Sequence, residues 1–128
     1  MARVIKFRGK SVKTGEWLYG YLQKYQETHA SRLCVCAASV RTWSDALLYE
    51  VIPETIGQFT DLHDKNDKEI YFDDIVRNKY GDIGSVIWFS DWSLRVDWGG
   101  GDIHFIDPEW GLEVIGNIHD NPELLNNK

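Results

Sequence analysis

The chain has 128 residues, of which 43% are hydrophobic, and carries a formal net charge of −6. A chain of this length forms one domain or two small ones and buries roughly two thirds of its unfolded surface. The composition excludes a largely disordered protein, and the lack of an apolar run of eighteen residues argues against a membrane-spanning segment or a membrane partner.

The charge is distributed unevenly along the chain. Residues 1–41 hold eight Lys/Arg and two Asp/Glu, whereas residues 42–128 hold six Lys/Arg and eighteen Asp/Glu. One interpretation is that the basic N-terminal part packs across the acidic remainder. The other is a basic face for a phosphate backbone or an acidic partner. The overall acidity argues against non-specific nucleic-acid binding, which needs many uncancelled cations.

The two cysteines, Cys34 and Cys36, lie on one face of a predicted strand. Their spacing rarely meets the geometry of a disulfide. Two cysteines and no recognisable signal peptide predict a protein of a reducing cytoplasm. His29 would add a third soft metal ligand, but the usual Cys-x-x-Cys spacing is missing, so buried strand cysteines are the preferred interpretation.

The N-terminal part of the chain predicts a β segment. Its expected strands are Val4–Phe7, Trp17–Gln23, Leu33–Ala37 and Leu47–Ile52. The first two are expected to form a hairpin, and residues 38–45 are ambiguous between a loop and a helical turn. Pro53 cannot donate to a ladder, so it is expected to end the fourth strand and open a connector to Gly57.

The rest of the chain predicts a series of short strands separated by Gly, Asp and Asn. These strands are expected at Gln58–Leu62, Glu69–Phe72, Asp74–Asn78, Ser85–Phe89, Leu94–Trp98, Asp102–Ile106 and Leu112–Ile118. Gly99–Gly101 predicts a hairpin loop, and Asn121-Pro122 predicts one short helical turn. Closely spaced strands with little helix are typical of an all-β barrel or sandwich.

Several motifs, in matching order, resemble the YopX family. They are Ile5–Gly9, Trp17–Gly20, Ile52–Thr60, Asp64–Asn66, Lys68–Tyr71, Asp74–Val76 and Glu113–Ile118. Residues 27–47 do not resemble a family pattern. The resemblance implies a phage or prophage origin and hence a location in the host-cell cytoplasm. The molecular role of the family is not established, so the resemblance supplies no catalytic residues.

The resemblance also implies the architecture. An N-terminal β segment (residues 1–53) is expected to pack on a small C-terminal barrel similar to an SH3 domain (54–120), followed by a short tail (121–128). The chain has Asp61, Asp67 and Asp73 where the family favours Gly. Asp tolerates left-handed backbone better than most residues, so these turns are expected to survive at some cost in strain.

No metal, cofactor or catalytic residue is predicted. The carboxylates between Asp61 and Asp74 do not fit a calcium loop: counted from Asp64, its fifth position is Lys and its twelfth is Ile. They are interpreted as solvated turn residues. His104 and His119 each lie near an aspartate and would suit acid–base chemistry. No nucleophile elbow, phosphate loop or dinucleotide fingerprint accompanies them, so they are interpreted as polar-face histidines.

The aromatic residues exceed what a small core normally holds. Exposed aromatic rings beside arginines are typical of interface hot spots. The predicted partner-binding residues are Trp17, Tyr19, Arg41, Trp43, Trp92 and Arg95. The alternatives are that the two β segments cover these rings against each other, or that the rings form a homo-oligomer contact.

The sequence therefore predicts a non-enzymatic module that binds a host or phage protein. The alternative is a small β-barrel that binds nucleic acid by stacking bases on Trp17 and Tyr19. The cations for that alternative would be Arg3, Lys6, Arg8, Lys10 and Lys13. An enzyme that uses His104 or His119 as a base is the third hypothesis.

Overall fold

The structure divides the chain into two units. The computed structural model describes residues 5–37, 39–88 and 93–126. Residues contact one another mainly within Met1–Phe59 and within Thr60–Lys128, which defines the two units. This division falls a few residues after the predicted one at residue 53. The regular structure is mostly antiparallel β with little helix, which confirms the predicted all-β class.

The first unit is a β-sheet with one short helix. Its elements are β1 (Phe7–Lys10), β2 (Trp17–Glu27), β3 (Ala30–Cys36), α1 (Trp43–Tyr49), a 3-10 helix (Pro53–Thr55) and the start of β4 (Gly57–His63). Residues 17–20 of β2 pair with β1, and residues 21–27 pair with β3. The predicted N-terminal hairpin is confirmed, but its first strand lies at Phe7–Lys10 and not at the predicted Val4–Phe7. Val4 lies outside the described residues.

Strand β2 changes partner at Gly20. The φ of this residue is 149°, and a β-carbon there would lie 2.4 Å from the carbonyl oxygen of Cys36. No residue with a side chain fits such a close approach of two backbones. Gly20 therefore lets β2 leave β1 and continue along β3.

Helix α1 replaces the first half of the strand predicted at Leu47–Ile52, so that prediction was wrong. Thr42 caps the helix, and its side chain accepts a hydrogen bond of 3.0 Å from the backbone N–H of Asp45. Such a cap offsets the cost of starting a short helix. Only Glu50 and Val51 from the end of the predicted strand make isolated β-bridges, to Cys34 and Ser11.

The core of the first unit lies between β3, α1 and the segment that follows α1. Its buried apolar residues are Cys34, Val35, Cys36, Ala46, Val51 and Phe59. Both cysteines are free thiols, which confirms the prediction of buried strand cysteines. Burial raises the pKa of the Cys34 thiol above its ordinary value, so this side chain is neutral and packs as a small apolar group.

The second unit contains the remaining strands. They are the end of β4, β5 (Glu69–Tyr71), β6 (Asp74–Arg77), β7 (Ile83–Trp88), β8 (Leu94–Asp97), β9 (Ile103–Phe105) and β10 (Glu113–Asn117), with a 3-10 helix at Pro108–Trp110 and α2 at Glu123–Asn126. Strand β5 pairs with β4, and the other five form a sheet of order β10-β6-β7-β8-β9. Within the described residues this sheet ends at β10 and β9 without closing, so the SH3-like barrel stays a prediction.

Strand β7 lies at the centre of its sheet, as its apolar sequence predicted. It pairs with β6 on one side and β8 on the other. The core cluster of this unit consists of Ile70, Val76, Val86, Val96 and Leu112, with Trp98 and Trp110 among the partly buried residues that pack against it. The predicted Gly99–Gly101 hairpin loop is confirmed, since all three residues have positive φ.

The three aspartates that depart from the family pattern adopt the backbone conformation that glycine favours. Asp61, Asp67 and Asp73 have φ of 68°, 64° and 75°. A left-handed conformation strains residues that carry a β-carbon, although Asp less than most. The expectation that these turns form despite some strain is confirmed by the positive φ of the three residues.

Asp73 differs from Asp61 and Asp67 because its side chain forms a hydrogen bond with His119. Its Oδ2 lies 3.1 Å from Nε2 of His119, and both side chains are largely buried. The backbone of Asp73 also bonds to Val86 and Ile118. His119 therefore holds a structural position between the end of β10 and the β5–β6 turn, and its interpretation as a polar-face residue was wrong.

Asp64 is a buried structural carboxylate and not a solvated turn residue, so that interpretation was wrong at this position. It was also wrong at Asp74, which is 1% exposed. The residue exposure of Asp64 is 8%. One oxygen accepts the backbone N–H groups of Asn66 and Lys68 at 2.8 and 2.9 Å, and the other accepts that of Val114 at 2.9 Å. Burial is the largest single influence on the pKa of Asp64 and raises it, but these hydrogen bonds together outweigh burial and leave the pKa below its ordinary value.

Replacing Asp67 with glycine should stabilise the protein by about 0.5–1 kcal/mol, because glycine adopts the left-handed conformation without a β-carbon penalty. Urea denaturation at neutral pH measures the change. Asp67→Ala is the matched control and should be destabilising, since it keeps the β-carbon and loses the polar group. Asp73→Gly should gain less than Asp67→Gly, because it removes the hydrogen bond with His119. Equal gains at both positions would contradict this account.

Replacing Asp64 with asparagine should destabilise the protein by roughly 2–4 kcal/mol, because the new amide N–H₂ faces a backbone donor that the carboxylate accepted. The lowered pKa adds a pH dependence. The carboxylate contributes stability above its unfolded-state pKa of about 3.9, and this contribution is lost as the pH falls through the lower folded-state value.

The free-energy difference between the native chain and Asp64→Asn should therefore shrink as the pH falls below about 4. Urea denaturation across this range measures it. Glu123→Gln removes an exposed carboxylate from the same unit and serves as the control, with a change within about 0.5 kcal/mol. A difference for Asp64→Asn that is independent of pH would show that the carboxylate charge is not what holds the turn.

Candidate functional site

Trp17 lies at the start of β2 with cations over its ring. The guanidinium carbon of Arg8 is 4.7 Å from the ring centroid, and Nζ of Lys10 is 6.0 Å away. Arg8 and Lys10 are on β1, which pairs with this part of β2. Two of the cations predicted to serve a nucleic acid are therefore engaged with the ring predicted to stack on a base.

Tyr19 and Tyr21 are the exposed aromatic residues of the same strand. Their exposed fractions are 50% and 62%, and the neighbouring Leu22 is 38% exposed. The two tyrosines flank Gly20, where β2 passes from one partner strand to the other. We call Tyr19 and Tyr21, which share one face of the strand by their spacing of two, the β2 patch. Large apolar side chains held in a strand but left in solvent are typical of interaction surfaces.

Trp43 begins helix α1 and is packed within the first unit. The guanidinium carbon of Arg32 lies 4.3 Å from its ring centroid, and the ring of Tyr25 lies 5.9 Å away, tilted by 50°. Arg32 also forms a salt bridge with Glu50. Trp43 is thus half-buried by β2 and β3, so its removal would disturb the fold as well as any surface.

The remaining predicted partner-binding residues do not join this group. Arg41 is exposed just before α1. Arg95 lies on β8 of the second unit, where its guanidinium carbon is 4.1 Å from the ring centroid of Phe105. Trp92 lies outside the described residues. Within the described chain, the first unit brings together Trp17 and Tyr19 along one strand and places Trp43 against the other end of that strand.

The second unit contains a cleft that the sequence analysis did not predict. Its volume is about 590 Å³, within the range of ligand-binding pockets. The lining residues come from the β6–β7 turn, the β8–β9 hairpin and the 3-10 helix: Asn78, Tyr80, Gly81, Asp82, Ile83, Trp98, Asp102, His104 and Trp110. The cleft thus combines aromatic rings with carboxylates.

Two tryptophans form the aromatic wall of the cleft. The rings of Trp98 and Trp110 meet edge to face with centroids 5.5 Å apart. A β-carbon at Gly84 would lie 2.9 Å from the ring of Trp98, so glycine lets this ring lie against β7. The carbonyl of Trp110 accepts the N–H of Lys79 at 2.8 Å, which fixes the 3-10 helix beside the β6–β7 turn.

The polar wall of the cleft is built from a turn and a hairpin. Oδ1 of Asn78 accepts the backbone N–H groups of Tyr80 and Asp82, each at 2.9 Å, and its amide donates to the Asp82 carboxylate at 3.2 Å. On the second arm of the β8–β9 hairpin, Nε2 of His104 lies 2.5 Å from Oδ1 of Asp102. The asparagine fixes the turn, so the Asp82 carboxylate is held at the cleft without a flexible loop.

The histidine pairs predicted from the sequence are realised in different ways. His104 does pair with Asp102, and both side chains are more than half exposed at the cleft. His119 pairs with Asp73, 46 residues away in sequence. Across the described ranges, no group of three or more His, Cys, Asp or Glu side chains is placed to hold a metal ion.

The arrangement defines a small antiparallel β protein with a cleft lined by aromatic rings and carboxylates, and comparison with known proteins assigns its family. The family model described as "YopX protein" matches residues 6–126. The chain therefore belongs to the YopX family. No curated protein matches it.

A solved structure shares the fold. The crystal structure of protein EF1440 from Enterococcus faecalis is similar with a TM-score of 0.57 and 25% sequence identity. The similarity covers 97% of this chain and 99% of that one. Both units of the chain thus have counterparts in a single solved protein.

Proposed function

We propose that this YopX-family chain is a phage-derived, non-enzymatic module that binds another protein through the β2 patch. The observation that carries the proposal is the exposure of Tyr19 and Tyr21 on a regular strand. Tyrosine loses little conformational entropy on binding and supplies both apolar area and a hydrogen-bonding group, which suits it to protein interfaces.

The chemistry of the first unit suggests what the partner presents. Residues 1–59 hold eight Lys/Arg and five Asp/Glu. Lys24 is exposed on β2, and Arg41 is exposed before α1. An excess of basic groups in the unit that carries the exposed tyrosines favours a partner with acidic residues beside its apolar contact, because charges at an interface steer association and select partners.

A protein partner is better supported than a nucleic acid. The nucleic-acid alternative uses Trp17 as a stacking platform and Arg8 as a phosphate contact. Arg8 is 6% exposed and lies over the Trp17 ring, while Nζ of Lys6 lies 5.3 Å from the centroid of Phe59. These cations contribute to packing within the unit, and the acidity of the whole chain opposes a phosphate backbone.

The proposed setting is the cytoplasm of the phage host, and the proposed form of the second unit is an SH3-like barrel. The family resemblance supports both. Along the described ranges of the chain, no helix has the length and apolar character needed to cross a membrane. The open five-stranded sheet of the second unit supplies most of the strands that a small barrel requires.

The double variant Tyr19→Ser/Tyr21→Ser should lose a near-stoichiometric protein partner that the native chain retains. The tagged, full-length chain is incubated with phage-infected host lysate, with and without nuclease, and bound proteins are quantified by mass spectrometry. Because the patch would supply the central apolar contact, we expect the double variant to recover about tenfold less partner or lower.

Phe105→Ser is the matched control, since Phe105 is 60% exposed but lies in the second unit and outside the lining of the cleft. It should retain the partner. Equal recovery by the native chain and the double variant would contradict the proposal, as would recovery of nuclease-sensitive material alone. If light scattering shows that the native chain self-associates and the double variant is monomeric, the patch is a homo-oligomer contact and the proposal of a foreign partner fails.

A further inference from the structure

The cleft of the second unit carries an inference of its own. We propose that it binds an arginine side chain of a protein partner, with the guanidinium against the tryptophan wall and the carboxylates of Asp82 and Asp102 as its counter-ions. The cleft lies in the second unit and the β2 patch in the first, so this proposal and the proposed function stand or fall separately.

The charge of the cleft selects a cation. Asp82 is exposed at its rim, and 63% of the Asp102 side chain is exposed. Two basic groups are near: Lys79, whose Nζ lies 5.4 Å from the centroid of the Tyr80 ring, and His104, which pairs with Asp102. Residues 60–128 as a whole hold fifteen Asp/Glu and six Lys/Arg, so the surrounding field also attracts positive ligands.

The aromatic lining selects an organic cation over a metal ion. Indole is the ring that attracts cations most strongly, and the cleft holds Trp98 and Trp110 together with the phenol of Tyr80. A hydrated metal ion gains nothing from these rings and prefers several oxygen ligands. An organic cation can use the rings and the carboxylates at the same time.

Guanidinium fits this combination better than ammonium. It is planar and weakly hydrated, it stacks on aromatic faces, and its fork of N–H donors matches a carboxylate. The same chain already places arginines on rings, as Arg32 on Trp43 and Arg95 on Phe105 show at 4.3 and 4.1 Å. A volume of about 590 Å³ exceeds what one guanidinium needs and leaves room for the backbone that carries it.

The test titrates the full-length, ¹⁵N-labelled chain with three capped tripeptides and follows amide and indole N–H resonances by NMR. The peptides are acetyl-Gly-Arg-Gly-amide, its citrulline analogue, which has the same shape without the charge, and its lysine analogue. The arginine peptide should give saturable shifts of the Trp98 and Trp110 indole signals. We expect the citrulline peptide to bind at least about tenfold more weakly, because it loses both the ion pair and the cation–π attraction.

Two variants test the location of the site without changing a core residue. Tyr80→Ala and Asp82→Asn alter exposed residues of the lining, and each should weaken the arginine peptide by about fivefold or more. Glu123→Gln, which removes an exposed charge outside the lining, should leave binding unchanged. Matching amide spectra of the free variants establish that each one is folded.

The outcomes decide the proposal. Saturable indole shifts that depend on the arginine charge and on Asp82 support it. Absence of saturable shifts with the arginine peptide overturns it. Equal affinity of the native chain for the arginine and citrulline peptides overturns it as well, and so does equal affinity of the native chain and Asp82→Asn for the arginine peptide. Tighter binding of the lysine peptide overturns the assignment to arginine and identifies the cleft as an ammonium site.

Discussion

The second unit depends on one buried carboxylate that accepts three backbone N–H groups from two segments of the chain. Asp64 accepts two N–H groups in the β4–β5 turn and a third from Val114 on β10. In the described sheet β10 is an edge strand that pairs with β6. The hydrogen bond from Val114 to Asp64 holds the opposite side of β10. The N–H of Lys65 donates to the carbonyl of Leu112 at 2.9 Å, so the chain just before β10 is held as well. Trp110 lies two residues before Leu112. The position of the tryptophan wall therefore depends on the Asp64 carboxylate, which is not part of the cleft lining.

Glycines place the aromatic residues of both candidate surfaces. Gly20 lets β2 change partner, which leaves Tyr19 and Tyr21 on either side of the switch, and Gly84 lets Trp98 lie flat against β7. In each case the missing side chain allows a close approach that no other residue permits. The two surfaces differ in character, since the β2 patch is open and apolar and the cleft is concave and acidic.

The strands could be predicted from the sequence because they alternate apolar and polar residues or consist of β-branched residues between turn signals. The same rule failed at Leu47–Ile52, where an apolar run belongs to a capped helix; Thr42 and Asp45, three residues apart, were the local signal that favoured it. The role of Asp64 could not be predicted, because one of its donors is fifty residues away. The cleft is likewise a product of tertiary structure, although Trp98, Asp102 and His104 on one glycine hairpin hinted at it.

The pairing of Asp73 with His119 bears on how freely the family can change at its turns. Asp and Gly codons differ by a single nucleotide, so each of the three left-handed positions is one mutation from the residue that the family favours. At Asp61 and Asp67 that change would relax the backbone. At Asp73 it would also remove a hydrogen-bond partner of a largely buried histidine. The turn at residue 73 is therefore coupled to a side chain 46 residues away in sequence, and a substitution at either position acts on both.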